Sequence, residues 1–154
     1  MQLGEFLDFD AIKTALPGGN KRSLLQQLAN LAAQRVGIEQ ATVLTSLTER
    51  EQLGSTGFGQ GVAIPHGKID GLTRIYGLFA RLAEPVDYKA IDGRPVDLVF
   101  LLLSPPDAGA EHLKALAAIS RVTRSAPTLE KMRGARSRDA LAAVLIGADE
   151  RDAA

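Results

Sequence analysis

The sequence contains no cysteine and no tryptophan, and aromatic residues make up only 5% of its 154 residues. Without cysteine the chain forms neither a disulfide nor a thiolate metal site, which is compatible with a reducing cytoplasm. Long apolar runs are also missing, because the longest, residues 98–103, is far too short to cross a bilayer. The first ten residues, MQLGEFLDFD, are acidic where a secretion signal needs a basic start. We therefore expect a soluble, cytoplasmic protein without membrane insertion.

An excess of charge of either sign is absent as well, since 18 Lys and Arg residues balance 18 Asp and Glu residues. No basic block of the kind that neutralises several phosphates is present, so we do not expect nucleic acid as a partner. The length suits one domain, and we predict that residues 1–154 form a single globular unit. With 45% apolar residues, that unit can bury an aliphatic core.

The apolar residues between positions 24 and 36 recur at steps of three and four, which predicts a helix. Asn20 is expected to cap this helix and Gly37 to end it. A second helix is predicted at 39–52, a third at 109–125, and a final one that Ser137 caps. In the third helix, the residues expected to lie on one side are Leu113, Leu116, Ala117 and Ser120.

Two strands are predicted, at residues 75–82 and 96–103. The second is apolar at nearly every position, so we expect it to be a central strand that is covered on both faces. Helices before and after the strands indicate an α/β fold in which helices cover both faces of a sheet. The strand order and the direction of each pair stay open at this point.

Residues 50–70, REQLGSTGFGQGVAIPHGKID, carry the chemistry of the chain. We predict a glycine-rich loop at 54–61, where backbone N–H groups can approach a ligand and form an anion-binding concavity. Two residues of the loop add hydroxyl donors, fixed positive charges flank the loop, and the fork of an arginine fits phosphate oxygens. The candidate phosphate-binding residues are Arg50, Ser55, Thr56, Gly57, Gly59, Gly61 and Lys68.

His66 follows this loop, between Pro65, which rigidifies the approach, and Gly67, which leaves room beside the ring. A neutral imidazole is nucleophilic near pH 7, and one nitrogen can attack while the other donates a hydrogen bond. A nucleophile beside an anion-binding loop is typical of a phosphoryl acceptor. A histidine beside glycines is also typical of a plain turn residue. Nucleotide-binding motifs do not fit, because both the Walker A spacing and the dinucleotide glycine spacing fail.

His112 lies in the first turn of the third predicted helix, where free N–H groups favour an anion. It is expected to donate to a phosphate on His66 or to hold that ring in one tautomer. The alternative is a histidine that faces solvent at a helix start. A zinc site is not expected, because the sequence has neither a third histidine nor a cysteine.

The segment STGFGQGVAIPHGK closely resembles the active-site signature of phosphotransferase-system enzyme IIA domains of the fructose/mannitol/nitrogen class. Arg50 and Glu51 stand upstream as in that family, and the likeness continues through AIDGRPVDLVFLLLSPPD and EHLKALAAIS, over about residues 3–146. The resemblance implies a mixed β-sheet sandwiched by helices. It also implies that His66 takes phosphate from an HPr-like phosphohistidine carrier, which an enzyme I charges from phosphoenolpyruvate. His112 and Arg50 match the family's second histidine and its arginine, and no metal, nucleotide or other cofactor is implied.

The segments LGSTGFGQG and YKAIDGRPVDLVF, and the Gly67-Lys68 pair, look like the nitrogen-regulatory branch of this family. That likeness implies regulation of nitrogen, potassium or carbon metabolism through transporters or sensor kinases that bind one phosphorylation state. The alternative is a sugar-specific enzyme IIA that passes phosphate to a IIB domain. A binding module that turns over no phosphate, and a domain that merely binds small anions, also stay open.

Phe58 lies in the predicted glycine loop, where an aromatic side chain has little local core to join. We predict that it contacts the carrier together with Ile69 and Leu72, with Asp70 and Glu111 around them. The alternative is that Phe58 folds back onto the domain.

Overall fold

A computed structural model describes residues 1–153, and it describes the side chains of residues 1–151. This part of the chain contains five α-helices, six β-strands and two 3₁₀ turns at Leu3–Glu5 and Phe9–Ala11. The helices are α1 (Lys21–Val36), α2 (Gln40–Gln52), α3 (Gly109–Thr123), α4 (Ala126–Gly134) and α5 (Arg138–Ala153). The strands are β1 (Lys13–Leu16), β2 (Gly57–Gly59), β3 (Val62–Ala63), β4 (His66–Lys68), β5 (Tyr76–Val86) and β6 (Val96–Ser104).

The six strands form one mixed sheet in the order β1-β5-β6-β3-β2, and β4 also pairs with β6. The pairs β1–β5, β3–β6 and β4–β6 are parallel, whereas β5–β6 and β2–β3 are antiparallel. The α/β class with a mixed sheet between helices is therefore confirmed.

Strand β6 lies at the centre of the molecule, and every residue from Leu98 to Ser104 is fully buried. Its side chains alternate between two cores, as successive residues of a strand must. Val99, Leu101 and Leu103 face the core that α1 and α2 cover, while Leu98, Phe100 and Leu102 face the core of α3, α4 and α5. A strand covered on both faces is what the continuous apolar run predicts.

The predicted caps of the helices are confirmed. The side chain of Asn20 accepts a hydrogen bond from the backbone N–H of Ser23 at 2.8 Å, and α1 begins one residue after Asn20. Gly37 ends α1 with a φ of 74°, a conformation that glycine adopts without steric cost. Ser137 accepts from the N–H of Ala140 at 3.0 Å at the start of α5.

One prediction from the sequence is wrong. The segment predicted as a loop at 54–61 contains β2, which forms an antiparallel pair with β3. The inward face of α3 carries His112, Ala115, Ala118, Ile119 and Val122, while Leu113 is 66% exposed. The side on which Leu113, Ala117 and Ser120 lie is thus exposed, whereas Leu116 is partly buried and packs against the core of α3, α4 and α5.

Strands β3 and β4 run parallel to β6 along the same side, with Ile64 and Pro65 between them. Proline has no N–H to donate to a sheet, but its carbonyl still accepts from the N–H of Leu102 at 3.0 Å. The break delivers His66 to the carboxyl end of β6, next to the start of α3. No helix within residues 1–153 combines the length and the apolar character that crossing a membrane requires.

Candidate functional site

His66 is the first residue of β4 and is partly buried. Its Nδ1 lies 2.7 Å from the carbonyl oxygen of Ile64, the residue at the break between β3 and β4. A carbonyl oxygen only accepts, so Nδ1 carries the proton and donates it. The neutral ring then has its lone pair on Nε2, which makes Nε2 the nucleophilic atom.

Burial is the main cause that lowers the pKa of His66 below the usual value for histidine. The hydrogen bond to Ile64 opposes this effect, the charge of Arg50 adds to the lowering, and the charge of Glu51 counteracts it. A lowered pKa keeps the imidazole neutral at pH 7. His66 is thus both oriented and in the protonation state that a nucleophile requires.

Gly67 follows His66, and a Cβ at this position would overlap the side chain of Ser46 on α2. The hydroxyl of Ser46 donates to the carbonyl of Lys68 at 2.9 Å. The space expected beside the His66 ring is therefore taken by α2. Glycine at this position lets α2 pack directly on β4 and fixes the strand that carries the histidine.

The ring of His112 lies 5.3 Å from the ring of His66, centroid to centroid. His112 is 8% exposed, so the alternative of a solvent-facing histidine is wrong. Its Nδ1 lies 2.6 Å from the hydroxyl of Ser104, the buried last residue of β6. If the hydroxyl donates to Nδ1, the Nε2 of His112 carries a proton that it can offer to a group on His66.

Burial, followed by the charges of His66 and Lys68, lowers the pKa of His112 to about 4. In the unfolded chain a histidine titrates near pH 6.5, so the unfolded state binds more protons between these two values. Stability that depends on neutral His112 is present above about pH 6.5 and is lost as the pH falls toward about 4.

We predict that the free energy of unfolding falls more steeply between pH 7 and pH 4.5 in the wild type than in His112→Asn. The expected difference is about 2 kcal/mol, at roughly 1.4 kcal/mol for each unit of pKa shift. Urea unfolding at both pH values measures it, and the other titrating groups act equally in both proteins. Equal slopes would show that His112 titrates normally in the folded protein.

Arg50 lies in the last turn of α2, and its guanidinium donates to the carbonyl of Gly54 at 2.9 Å. Its charge acts on His66, as the lowered pKa of that histidine indicates. The structure thus brings His66 and His112 together from distant parts of the sequence, and the charge of Arg50 acts on His66. Lys68 is exposed, and its charge acts on His112.

The remaining candidates in this segment make internal contacts. Ser55 accepts from the N–H of Gly57 at 3.1 Å, and Thr56 is hydrogen-bonded to Glu51. A Cβ at Gly57 would lie 2.9 Å from the Cβ of Ala90, so close packing alone requires glycine there. A role of Ser55, Thr56, Gly57, Gly59 and Gly61 in binding phosphate stays a prediction.

Sequence patterns did not single out Ser104 or the backbone carbonyl of Ile64, which bind the rings of His112 and His66. Nor did they single out Tyr88, whose hydroxyl donates to Glu51. A serine at the end of an apolar strand was a usable signal for Ser104. The two histidines face each other, but within residues 1–153 no group of three or more His, Cys, Asp or Glu residues is arranged to hold a metal ion.

The family model "Phosphoenolpyruvate-dependent sugar phosphotransferase system, EIIA 2" matches residues 5–147. The chain belongs to this enzyme IIA family. It is 48% identical to the "Nitrogen regulatory protein" of Bradyrhizobium diazoefficiens over 145 residues, which cover 94% of this chain and 95% of the relative. A relative from Haloferax volcanii, "PTS system fructose-specific EIIA component", is 37% identical over 131 residues and covers 84% of each chain.

Among solved structures, the nitrogen regulatory protein IIA-Ntr from Neisseria meningitidis superposes on this enzyme IIA chain with a TM-score of 0.87. The two are 37% identical, and the match covers 93% of this chain and 98% of the other. The resemblance to the enzyme IIA family, and to its nitrogen-regulatory type, is therefore confirmed.

Proposed function

We propose that the Nε2 atom of His66 accepts a phosphoryl group from the phosphohistidine of an HPr-like carrier. The observation that carries this proposal is the 2.7 Å contact between Nδ1 of His66 and the carbonyl of Ile64, which leaves Nε2 as the nucleophile. Membership of the enzyme IIA family supports a place in a phosphoenolpyruvate-dependent chain, in which enzyme I charges the carrier. Such a chain operates in the cytoplasm, and we propose that location for this protein.

The transfer moves one phosphoryl group between two imidazoles. The lone pair of Nε2 forms a bond to phosphorus while the N–P bond of the carrier breaks, and its electron pair returns to the nitrogen of the carrier. His66 keeps its proton on Nδ1, so its ring becomes positively charged. No metal or organic cofactor is required by this exchange.

Transfer between two nitrogens depends mainly on positioning and on stabilising the charge of the phosphoryl group. We propose that Arg50 supplies the fixed positive charge beside the phosphoryl group and that Lys68 is a second cation. The Nε2–H of His112 donates a hydrogen bond to the phosphoryl group. The supporting segment is completed by Ser55, Thr56, Gly57, Gly59 and Gly61, whose contacts shape the backbone before His66.

Reconstitution with phosphoenolpyruvate, enzyme I and the HPr-like carrier tests this function. Mass spectrometry of the intact protein should show one added phosphoryl group, which is labile in acid and stable in base as a phosphoramidate is. A binding module or a simple anion-binding domain would gain no mass.

Exposed apolar side chains lie close in sequence to the candidate residues, and we propose that the carrier docks on them. Leu53 directly follows α2, Leu113 follows His112 on α3, and Phe58 on β2 is 39% exposed. The N–H of Ile91, also exposed, donates to the carbonyl of Gly57 beside Phe58. Ile69, which was expected in this surface, is only 1% exposed and lies in the core.

We predict that Phe58→Ser raises the KM for the phosphorylated carrier roughly 5- to 30-fold and leaves kcat near the wild-type value. An apolar anchor at an interface contributes roughly 1 to 2 kcal/mol. Ile146→Ser, a change of an exposed apolar residue on α5, is the matched control. Carrier titration followed by amide chemical shifts should perturb residue 58, and an unchanged KM without perturbation would remove Phe58 from the interface.

We propose that the phosphorylation state of His66 regulates nitrogen, potassium or carbon metabolism by changing which target proteins bind. A phosphoryl dianion on a surface histidine repels acidic partners and adds acceptors for basic ones, without any change of fold. The 48% identity to a protein named a nitrogen regulatory protein supports this branch. Transporters and sensor kinases are the classes of target that we propose.

A second candidate function is that of a sugar-specific enzyme IIA, which passes its phosphate to a IIB domain. The 37% identity to a relative named a fructose-specific EIIA component supports this second candidate. We expect the phosphorylated protein to transfer its phosphate poorly to a fructose-type IIB domain, and to accept it faster from a nitrogen-branch carrier than from a sugar-branch one. Efficient transfer to IIB, coupled to sugar uptake, would establish the sugar-transport function instead.

A further inference from the structure

Glu51, next to Arg50 at the end of α2, is a carboxylate with a side chain that is only 6% exposed. Lys21 of α1 pairs with it at 2.7 Å, and the hydroxyl of Tyr88 donates to it at 2.9 Å. The backbone N–H of Thr56 lies 3.2 Å from both carboxylate oxygens, and the Thr56 hydroxyl donates as well. Burying a charge is costly unless it is paired and hydrogen-bonded, and here four donors satisfy one carboxylate.

A series of hydrogen bonds leads from this carboxylate to the nucleophile. Glu51 holds the N–H of Thr56, and the carbonyl of Thr56 accepts from the N–H of Ile64 at 3.0 Å. The carbonyl of Ile64 in turn accepts from Nδ1 of His66 at 2.7 Å. A displacement of Thr56 therefore moves the carbonyl that selects the tautomer of His66.

The charge of Glu51 acts on the same ring. It raises the pKa of His66, whereas burial and the charge of Arg50 lower it. The ring of His66 becomes positively charged when Nε2 bonds to phosphorus, because Nδ1 keeps its proton. A negative charge near this ring favours the cationic form that the ring takes when Nε2 bonds to phosphorus.

We propose that Glu51 is a positioning residue for phosphoryl transfer. It holds Thr56 and, through it, Ile64, so that Nδ1 of His66 stays hydrogen-bonded to the carbonyl of Ile64. Its charge also stabilises the cationic ring of His66. This inference rests on the proposed function of His66. Lys21 and Tyr88 serve it by keeping the buried carboxylate paired, and Lys21 also lies over the Tyr88 ring, 4.5 Å from its centroid.

The test is Glu51→Gln, which removes the charge and keeps the shape of the side chain. We expect kcat for phosphoryl acceptance to fall about tenfold, the size typical of residues that orient a reacting group through another, while KM for the carrier changes less than about twofold. Glu49→Gln on the same helix is the matched control, because Glu49 is exposed. A wild-type kcat in Glu51→Gln would overturn the proposal, and so would a change confined to KM.

A second readout needs no phosphate. The pKa of His66, measured by NMR titration of the ring nitrogens, should fall in Glu51→Gln and stay unchanged in Glu49→Gln. If the wild type accepts no phosphate, the proposed function fails while this titration still reports on Glu51. An unmoved pKa of His66 in a folded Glu51→Gln protein would reduce Glu51 to a purely structural role and overturn the proposal.

Glu51→Asp separates position from charge, and it carries the test if Glu51→Gln does not fold. Aspartate keeps the ion pair with Lys21 but is one methylene too short to hold Thr56 in the same place. We expect kcat to lie between those of the wild type and Glu51→Gln, with a pKa of His66 nearer to that of the wild type. An unchanged kcat in Glu51→Asp would contradict the positioning role.

Discussion

His66→Ala should accept no phosphate from the carrier, whereas the wild type takes up one phosphoryl group. The side chain supplies the only nucleophile in the proposed transfer, so its removal abolishes the reaction instead of slowing it. Single-turnover mixing with phosphorylated carrier, followed by mass spectrometry, measures the uptake. The fold should persist, because His66 is partly exposed and contributes no apolar contact to either core.

His112→Asn is the informative partner of that variant. It should still accept phosphate on His66, more slowly, because the introduced amide keeps a polar atom near Ser104 but loses the donor toward His66. Uptake of phosphate by His66→Ala would contradict the assignment of His66 as the acceptor. If His112→Asn then took up no phosphate, the roles of the two histidines would be exchanged.

Arg50→Ala should lower kcat about a hundredfold, the loss that follows removal of one preorganised electrostatic stabiliser. The charge of Arg50 acts on His66, as its effect on the pKa of that histidine indicates. The same substitution should therefore raise the pKa of His66, because a neighbouring positive charge has been removed. Stopped-flow transfer rates and NMR titration of His66 check the two expectations independently.

Arg136→Ala is the control, because Arg136 is exposed in the segment between α4 and α5. Arg50→Lys keeps the charge without the planar fork, so its kcat should lie between the wild-type and alanine values. A wild-type rate in Arg50→Ala would show that Arg50 does not assist phosphoryl transfer and serves only to bind the carbonyl of Gly54.

Much of the framework was predictable because it depends on local patterns. The continuous apolar run of β6 predicted a strand between two cores, and Asn20 and Gly37 marked the ends of α1. Strands β1 and β4 were not predicted, because three or four residues are too few to show a period. Their pairing depends on contacts with β5 and β6, which no short stretch of sequence reveals.

The residues of the candidate site were likewise predictable only in part. His66 was found from its neighbours in the sequence, and the resemblance to a known family added His112 and Arg50. The buried face of α3 was not predicted, because it carries His112 and two alanines while Leu113 is exposed. Glu51 was noted as part of the family resemblance, but its contacts with Lys21, Tyr88 and Thr56 join distant segments of the chain. Contacts of this kind need the folded structure.

The nitrogen atom that carries the phosphoryl group is the most direct test of the proposed chemistry. Phosphorylated protein, labelled with ¹⁵N in its histidines, can be assigned by long-range proton–nitrogen NMR together with ³¹P coupling. The bond between Nδ1 of His66 and the carbonyl of Ile64 predicts phosphorus on Nε2 of His66, with the proton retained on Nδ1. Phosphorus on Nδ1 of His66, or on His112, would contradict the proposal that the carbonyl of Ile64 selects the nucleophile.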